Sequence, residues 1–224
     1  KGVGAAGVAL IRKKSGEIFV ELLTISSVRN PSDEITHFVA IFSDITQIKQ
    51  HQQHLEHLAH FDALTQLPNR ILLADRLQLS MAQTEREQKM LAVCYLDLDG
   101  FKPVNDQYGH AAGDRMLIEV AQRLRQCVRA GDTVSRLGGD EFVLLFAGVG
   151  DIHECDHAVS RVLTALAAPF AISGNSIVIS ASIGVTLFPV DGSDADALLR
   201  HADQAMYTAK QAGRNRFHLF DPES

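Results

Sequence analysis

The stretch Arg136–Phe142, "RLGGDEF", interrupts an apolar run that starts at Val134 and resumes with Val143, Leu144, Leu145 and Phe146. Two apolar segments joined through a glycine pair read as a strand, a tight turn and a second strand. Glycine turns with positive φ at no steric cost, and it lets a bulky group approach the backbone. Two acids, Asp140 and Glu141, follow the glycines directly. A second acidic pair, Asp97 and Asp99, closes the apolar run "MLAVCYLDLD", and its two-residue spacing puts both carboxylates on one side of a sheet. Carboxylates at strand ends suit a hard cation that shares its shell with phosphate oxygens. One such pair alone is often only a solvated turn. Two pairs, each flanked by apolar strand, point to a site. The stretch "DLDGFKPVND" fails as an EF-hand calcium loop, because Phe101 and Lys102 stand where the third acid and the glycine belong.

Around these acids, helical and extended patterns alternate. Helices are expected over "NRILLADRLQLSMAQTERE", "GDRMLIEVAQRLRQCV", "ECDHAVSRVLTALAAPF" and "DALLRHADQAMYTAKQAG". Strands are expected over "MLAVCYLDLD", over both arms of "TVSRLGGDEFVLLF", and over "SIVISASIGVTLF" and "RFHLF". This βαββαβ-like order predicts an α/β (α+β) fold with one mixed central sheet covered by helices. Residues 1–44 differ: "VALIR", "IFVELLTISSV" and "ITHFVAIFSD" are extended runs separated by turn chemistry. They predict a small antiparallel β segment that buries too little to stand alone. Residues 45–60 have helical character, with Ile41, Ile45, Ile48 and Leu55 near heptad spacing, which suits a paired signalling helix. His51, His54, His57 and His60 recur every three residues, so they drift around that helix and do not share the face a metal would need.

A net charge of −6 argues against a groove that binds nucleic acid, yet a small phosphate ligand needs only a few local cations. Cys94, Cys127 and Cys155 are scattered and odd in number, which suits a reducing, cytoplasmic compartment with no disulfide framework or structural zinc. No apolar run approaches the ~18–20 residues of a membrane span. The first residue is Lys1, which suggests a piece of a longer protein, and membrane attachment through other segments is compatible with the stretch given.

"RLGGDEF", together with "DALTQLPNR", "DLDGFKPVNDQYGHAAGD", "ASIGVT" and "AMYTAKQAGRN", resembles the GGDEF family of bacterial diguanylate cyclases. The resemblance runs from Asp62 to about Phe220 and implies a fold similar to the palm of polymerases and nucleotidyl cyclases. It implies that Asp97 and Asp140 bind catalytic Mg²⁺ (Mn²⁺ being the alternative) with help from the Leu98 carbonyl, and that Glu141 assists at the second metal or the reacting hydroxyl. Asn105 and Asp114 match the guanine-binding pair. Lys210 and Arg214, one helical turn apart, would hold terminal phosphates, and the backbone N–H groups around Phe101 and Lys102 would cradle the triphosphate. Arg129 and Asp132 in "RAGD" match the RxxD product-inhibition motif, with Arg161 as candidate for a second arginine.

The implied reaction joins two GTP into cyclic di-GMP across a homodimer, with cyclic di-GMP as product and inhibitor. "SDITQIKQ" after the early strands resembles the exit of a PAS domain. The organisation expected is therefore a C-terminal part of a PAS-like sensor over 1–46, a helical linker over 47–60, a GGDEF domain over 61–220 and a tail over 221–224. "NRFHLFDPES" resembles the junction to an EAL phosphodiesterase domain, so a GTP-binding regulator of such a neighbour is the alternative function. A pure cyclic di-GMP receptor working through Arg129 and Asp132 would leave the metal acids idle.

Overall fold

A computed structural model describes residues 4–221 apart from Ser173 and Ser193. The chain divides into two compact units, Lys1–Ala59 and His60–Ser224. In the first unit, β1 (Gly4–Arg12), β2 (Ile18–Arg29) and β3 (Ile35–Asp44) form an antiparallel sheet in that order, followed by α1 (Thr46–His60). The register puts Val8, Leu10 and Ile41 on one face and Phe38 and Phe42 on the other, and all five are exposed. This sheet has apolar side chains on both faces and no core of its own. Asp44 clamps its junction with α1. It accepts from the Thr46 N–H at 3.0 Å, while the Thr46 hydroxyl accepts from the Val20 N–H at 2.8 Å.

The second unit follows the order α2 (Arg70–Glu87), β4 (Met90–Asp99), α3 (Phe101–Tyr108), α4 (His110–Gln126), β5 (Thr133–Gly138), β6 (Glu141–Val149), α5 (Ile152–Ala167), β7 (Phe170–Ile172), β8 (Asn175–Ile177), β9 (Ser180–Phe188), α6 (Ala195–Gln211) and β10 (Arg216–Leu219). Its main sheet runs β10-β9-β4-β6-β5, with β10 parallel to β9 and the other pairs antiparallel. This is the expected mixed sheet flanked by helices. Alternate residues of β4 enter opposite cores. Ala92, Cys94, Leu96 and Leu98 pack with α4 and α5, and Leu91, Val93 and Tyr95 pack with α2 and α6. Coverage on both faces explains why β4 reads as a continuous apolar run.

Two local expectations are corrected, and one element is new. "ECDHAVSRVLTALAAPF" does not stay helical to Phe170: α5 ends at Ala167, since Pro169 pushes Ala168 out of the helical region (φ −67, ψ 141) and Phe170 opens the β7–β8 hairpin. "SIVISASIGVTLF" is not one strand but the end of that hairpin and then β9. The helix α3 was not expected at all. Its Pro103 resembles a breaker, yet it sits in the first turn, where the missing N–H has no intrahelical partner to lose.

The helix α6 lies directly on β9 at Gly184. A Cβ there would come within 1.9 Å of the Ala202 carbonyl oxygen and 2.1 Å of the Met206 nitrogen. Both obstacles are backbone and cannot rotate aside. Gly184→Ala is therefore expected to cost at least about 1–3 kcal/mol, measured by urea denaturation. Gly131→Ala, with nothing within 4 Å of the added carbon, is the control expected to stay near the parent.

Candidate active site

The two acidic clusters meet because of strand register. Asp97 is paired with Glu141 across β4–β6 and with Ser182 across β4–β9. The intervening turn uses Gly138 (φ 146) and Gly139 (φ 53), which bring Asp140 back beside the end of β4. Lys210, from the last turn of α6, places Nζ 2.8 Å from Asp97 Oδ1. Burial raises the Asp97 pKa, and the charges of Asp140 and Asp99 push the same way. The Lys210 ammonium opposes them without winning. Beneath Asp97, the Tyr95 phenol is pushed up to about 12 by burial and by Glu141 and Asp203. The pocket thus holds more negative charge than Lys210 offsets, and its donors are carboxylate oxygens. Carboxylate oxygens suit a hard divalent cation, but among the described residues no three His, Cys, Asp or Glu side chains gather closely enough to hold one.

Asp99 acts differently from its neighbour. It accepts from the Ser180 and Ser182 hydroxyls at 2.8 Å each and from the Asn215 N–H at 3.1 Å. It ties β4 to β9 and to the turn after α6. That turn holds Arg214, whose φ of 59 puts it in the left-handed region beyond the helix end at Gln211. The expectation that Lys210 and Arg214 lie one helical turn apart on a single helix is therefore corrected. The Arg214 N–H still bonds the Ala209 carbonyl at 3.1 Å, and its exposed guanidinium lies 3.9 Å from Asp99.

Phe101 and Lys102 open α3 behind Gly100 (φ 82), so their N–H groups belong to its first turn. The Phe101 ring is buried in the core, while Lys102 is exposed. Asn105 on α3 is half-buried, and exposed Asp114 lies on α4, next in chain to Gly113. A Cβ on Gly113 would fall 1.9 Å from Asn105 Oδ1, so the glycine makes room for that side chain.

The turn itself is held from below by a contact that the sequence reading missed. The Arg136 guanidinium donates from Nε (3.0 Å) and a terminal nitrogen (2.7 Å) to the Gly139 carbonyl, and from its other terminal nitrogen to Asp62 Oδ1 (2.9 Å). Its backbone N–H bonds the Pro68 carbonyl at 3.0 Å. Asp62 also accepts from the Thr65 N–H (2.8 Å) and hydroxyl (2.6 Å). Burial pushes the Asp62 carboxyl up, but Thr65 and Arg136 together outweigh it and hold the pKa below its ordinary value. Arg125 donates to the Gln66 carbonyl of the same loop. Both Asp62 and Arg136 lie in motifs read from the sequence, but nothing in the pattern says that they meet.

Arg129, Asp132 and Arg161 all line a separate cleft of about 390 Å³ between the α4–β5 loop, β6 and α5. Asp132 accepts from the Arg129 N–H at 2.8 Å and from the Ala147 N–H at 3.2 Å. Arg129 pairs with Glu154 at 3.1 Å, and Arg161 donates to the Cys127 carbonyl at 2.8 Å.

A family model described as "Diguanylate cyclase, GGDEF domain" matches residues 59–216. The bifunctional diguanylate cyclase/cyclic di-GMP phosphodiesterase MucR of Pseudomonas aeruginosa is 48% identical over 160 residues, covering 71% of this chain and 23% of MucR. The cyclic di-GMP phosphodiesterase PdeR of Escherichia coli is 40% identical over 181 residues, covering 81% of this chain and 27% of PdeR. Among solved structures, the GGDEF domain of TpbB from Pseudomonas aeruginosa superimposes with a TM-score of 0.70 at 38% identity, covering 72% of this chain and 95% of that one. The chain thus spans about a quarter of these full-length curated relatives.

The lowered Asp62 pKa fixes a sign. Its stabilisation is present above the unfolded carboxyl pKa of about 3.9 and is lost as pH falls through the folded value. Asp62→Asn is expected to lose about 1–3 kcal/mol near neutral pH. It is also expected to show a shallower loss of stability than the parent below about pH 4, checked by urea denaturation across that range.

Proposed function

The chain belongs to the GGDEF diguanylate cyclase family, and from that premise we propose that it condenses two molecules of GTP into cyclic di-GMP with release of pyrophosphate. The observation that carries the reading is the 2.8 Å contact between Lys210 and Asp97. It brings an ammonium suited to phosphate and a carboxylate suited to a cation to one point, with Glu141 paired to Asp97 across the strands.

Asp97, Asp140, Glu141 and the Leu98 carbonyl would hold Mg²⁺, or Mn²⁺ in its place. When bound, the metal supplies charge neutralisation at the triphosphate and lowers the pKa of the attacking 3′-hydroxyl. Lys210 leaves Asp97 for the terminal phosphates, joined by Arg214, and the N–H groups at Phe101 and Lys102 receive phosphate oxygens. Asn105 and Asp114 read the guanine edge: a carboxylate accepts from N1–H and the 2-amino group, which adenine does not offer. Each site holds one GTP, so two chains must face each other. Aligning the two nucleotides is worth up to about 7–11 kcal/mol of the barrier. Dimer geometry then controls the rate.

The two-faced apolar sheet supports reading residues 1–46 as the C-terminal part of a PAS-like sensor, with 47–60 as the linker that pairs the domains. The cleft holding Arg129, Asp132 and Arg161 is read as a product site that slows synthesis. A cytoplasmic location follows from the nucleotide substrate. The names of MucR and PdeR favour a second reading, in which the module binds GTP and regulates an adjoining EAL phosphodiesterase domain.

Incubation with GTP and Mg²⁺, after stripping carried-over nucleotide, is expected to yield cyclic di-GMP and pyrophosphate. Asp140→Ala is expected to lower the rate at least about a hundredfold. GTP binding without product, even at high protein concentration, would instead support the regulatory reading. Asp114→Ala is expected to weaken GTP binding about tenfold or more while leaving ATP binding unchanged, as read by calorimetry. Equal loss for both nucleotides would remove Asp114 from base recognition.

A further inference from the structure

The cleft beside Arg129 carries two side chains that the RxxD motif does not account for. His153 and His157 are four residues apart on α5, hence on one face of the helix, and both line the cleft. We propose that these two histidines are anion-binding residues of the cleft, and that they make its occupation by a cyclic dinucleotide proton-linked, stronger in mildly acidic than in mildly alkaline solution. The inference rests on the reading of this cleft as the product site.

The argument is one of charge. Facing the imidazoles are Arg129 and Asp132 from the α4–β5 loop and Asp151, Glu154 and Arg161 from α5 and its cap, whereas β6 contributes only Phe146, Ala147 and Val149. Two guanidinium groups against three carboxylates leave one net negative charge while both imidazoles are neutral. Protonating both leaves one net positive charge. A cyclic dinucleotide brings two phosphodiesters that stay anionic throughout the range in which imidazole titrates. The cleft therefore opposes this ligand above that range and attracts it below.

A second observation points the same way. Arg129 is committed to Glu154 at 3.1 Å, and Glu154 also accepts from the Gly150 N–H at 3.0 Å. For Arg129 to reach a phosphate it must leave Glu154, and a second cation beside that carboxylate would ease the release. His153 and His157 flank Glu154 along α5, and in protonated form they supply one.

The sign follows from charge: an imidazolium attracts the phosphodiesters and a neutral imidazole does not, so the added affinity belongs to the protonated form.

Calorimetric titration with cyclic di-GMP at about pH 6 and about pH 8 tests this on the parent chain, Arg129→Ala and the double variant His153→Gln/His157→Gln. Thermal melts at both pH values verify folding. The parent is expected to bind about tenfold or more tightly at the lower pH, and the double variant to lose most of that difference. A parent whose affinity is the same at both pH values would overturn the proposal. So would an unchanged pH dependence in the double variant, which assigns the proton to another group. Binding that is absent in the parent, or unaffected by Arg129→Ala, would overturn the product-site reading itself, a failure distinct from the other two.

Discussion

The geometry of the site depends on one guanidinium. A hairpin turn built from Gly138 and Gly139 has little intrinsic preference for a single conformation, because glycine gives up more conformational freedom on folding than any other residue. Arg136 removes that freedom by taking the Gly139 carbonyl with two of its nitrogens and anchoring the third to Asp62. The pair is largely shielded from solvent, with side-chain exposures of 9% and 21%. Losing either partner would leave the other buried and uncompensated. Asp140 and Glu141 are thus held by a residue on the strand before them and an acid at the start of the domain.

A second constraint is the placement of α6. Its approach to β9 at Gly184 leaves no space for a side chain, and this closeness lets Lys210 reach across the end of β4 to Asp97. Asp99 completes the arrangement by fixing the turn after α6 to β4 and β9. The acids of "DLD" therefore divide the work. Asp97 pairs with Lys210, and Asp99 ties the turn that carries Arg214 to β4 and β9.

Much of this was legible in the sequence. The limits of β4 follow from the run Met90–Asp99, since a strand covered on both faces is uniformly apolar and ends where its carboxylates begin. The hairpin follows from the glycines. The start of α2 was legible to within one residue: Asn69, read as the first helical residue, is its cap and accepts from the Ile71 and Leu72 N–H groups. What escaped was either short or distant. The helix α3 has eight residues with a proline in its first turn, too little for a periodic pattern. The β7–β8 hairpin has three-residue strands. The Asp62–Arg136 pair joins residues far apart in the chain, and no local spacing encodes such a pairing. The left-handed backbone at Arg214 is a tertiary outcome at a non-glycine residue.

The central claim is that the carboxylates at the ends of β4 and the hairpin turn form one cation site, and that Lys210 serves the phosphates beside it. A crystal structure with Mg²⁺ and a non-hydrolysable GTP analogue tests this most directly. The account requires metal density between Asp97 and Asp140, Lys210 Nζ on a phosphate oxygen, and the guanine edge against Asn105 and Asp114. Metal bound away from Asp97 and Asp140, or Lys210 still paired with Asp97 while the nucleotide is present, would contradict it.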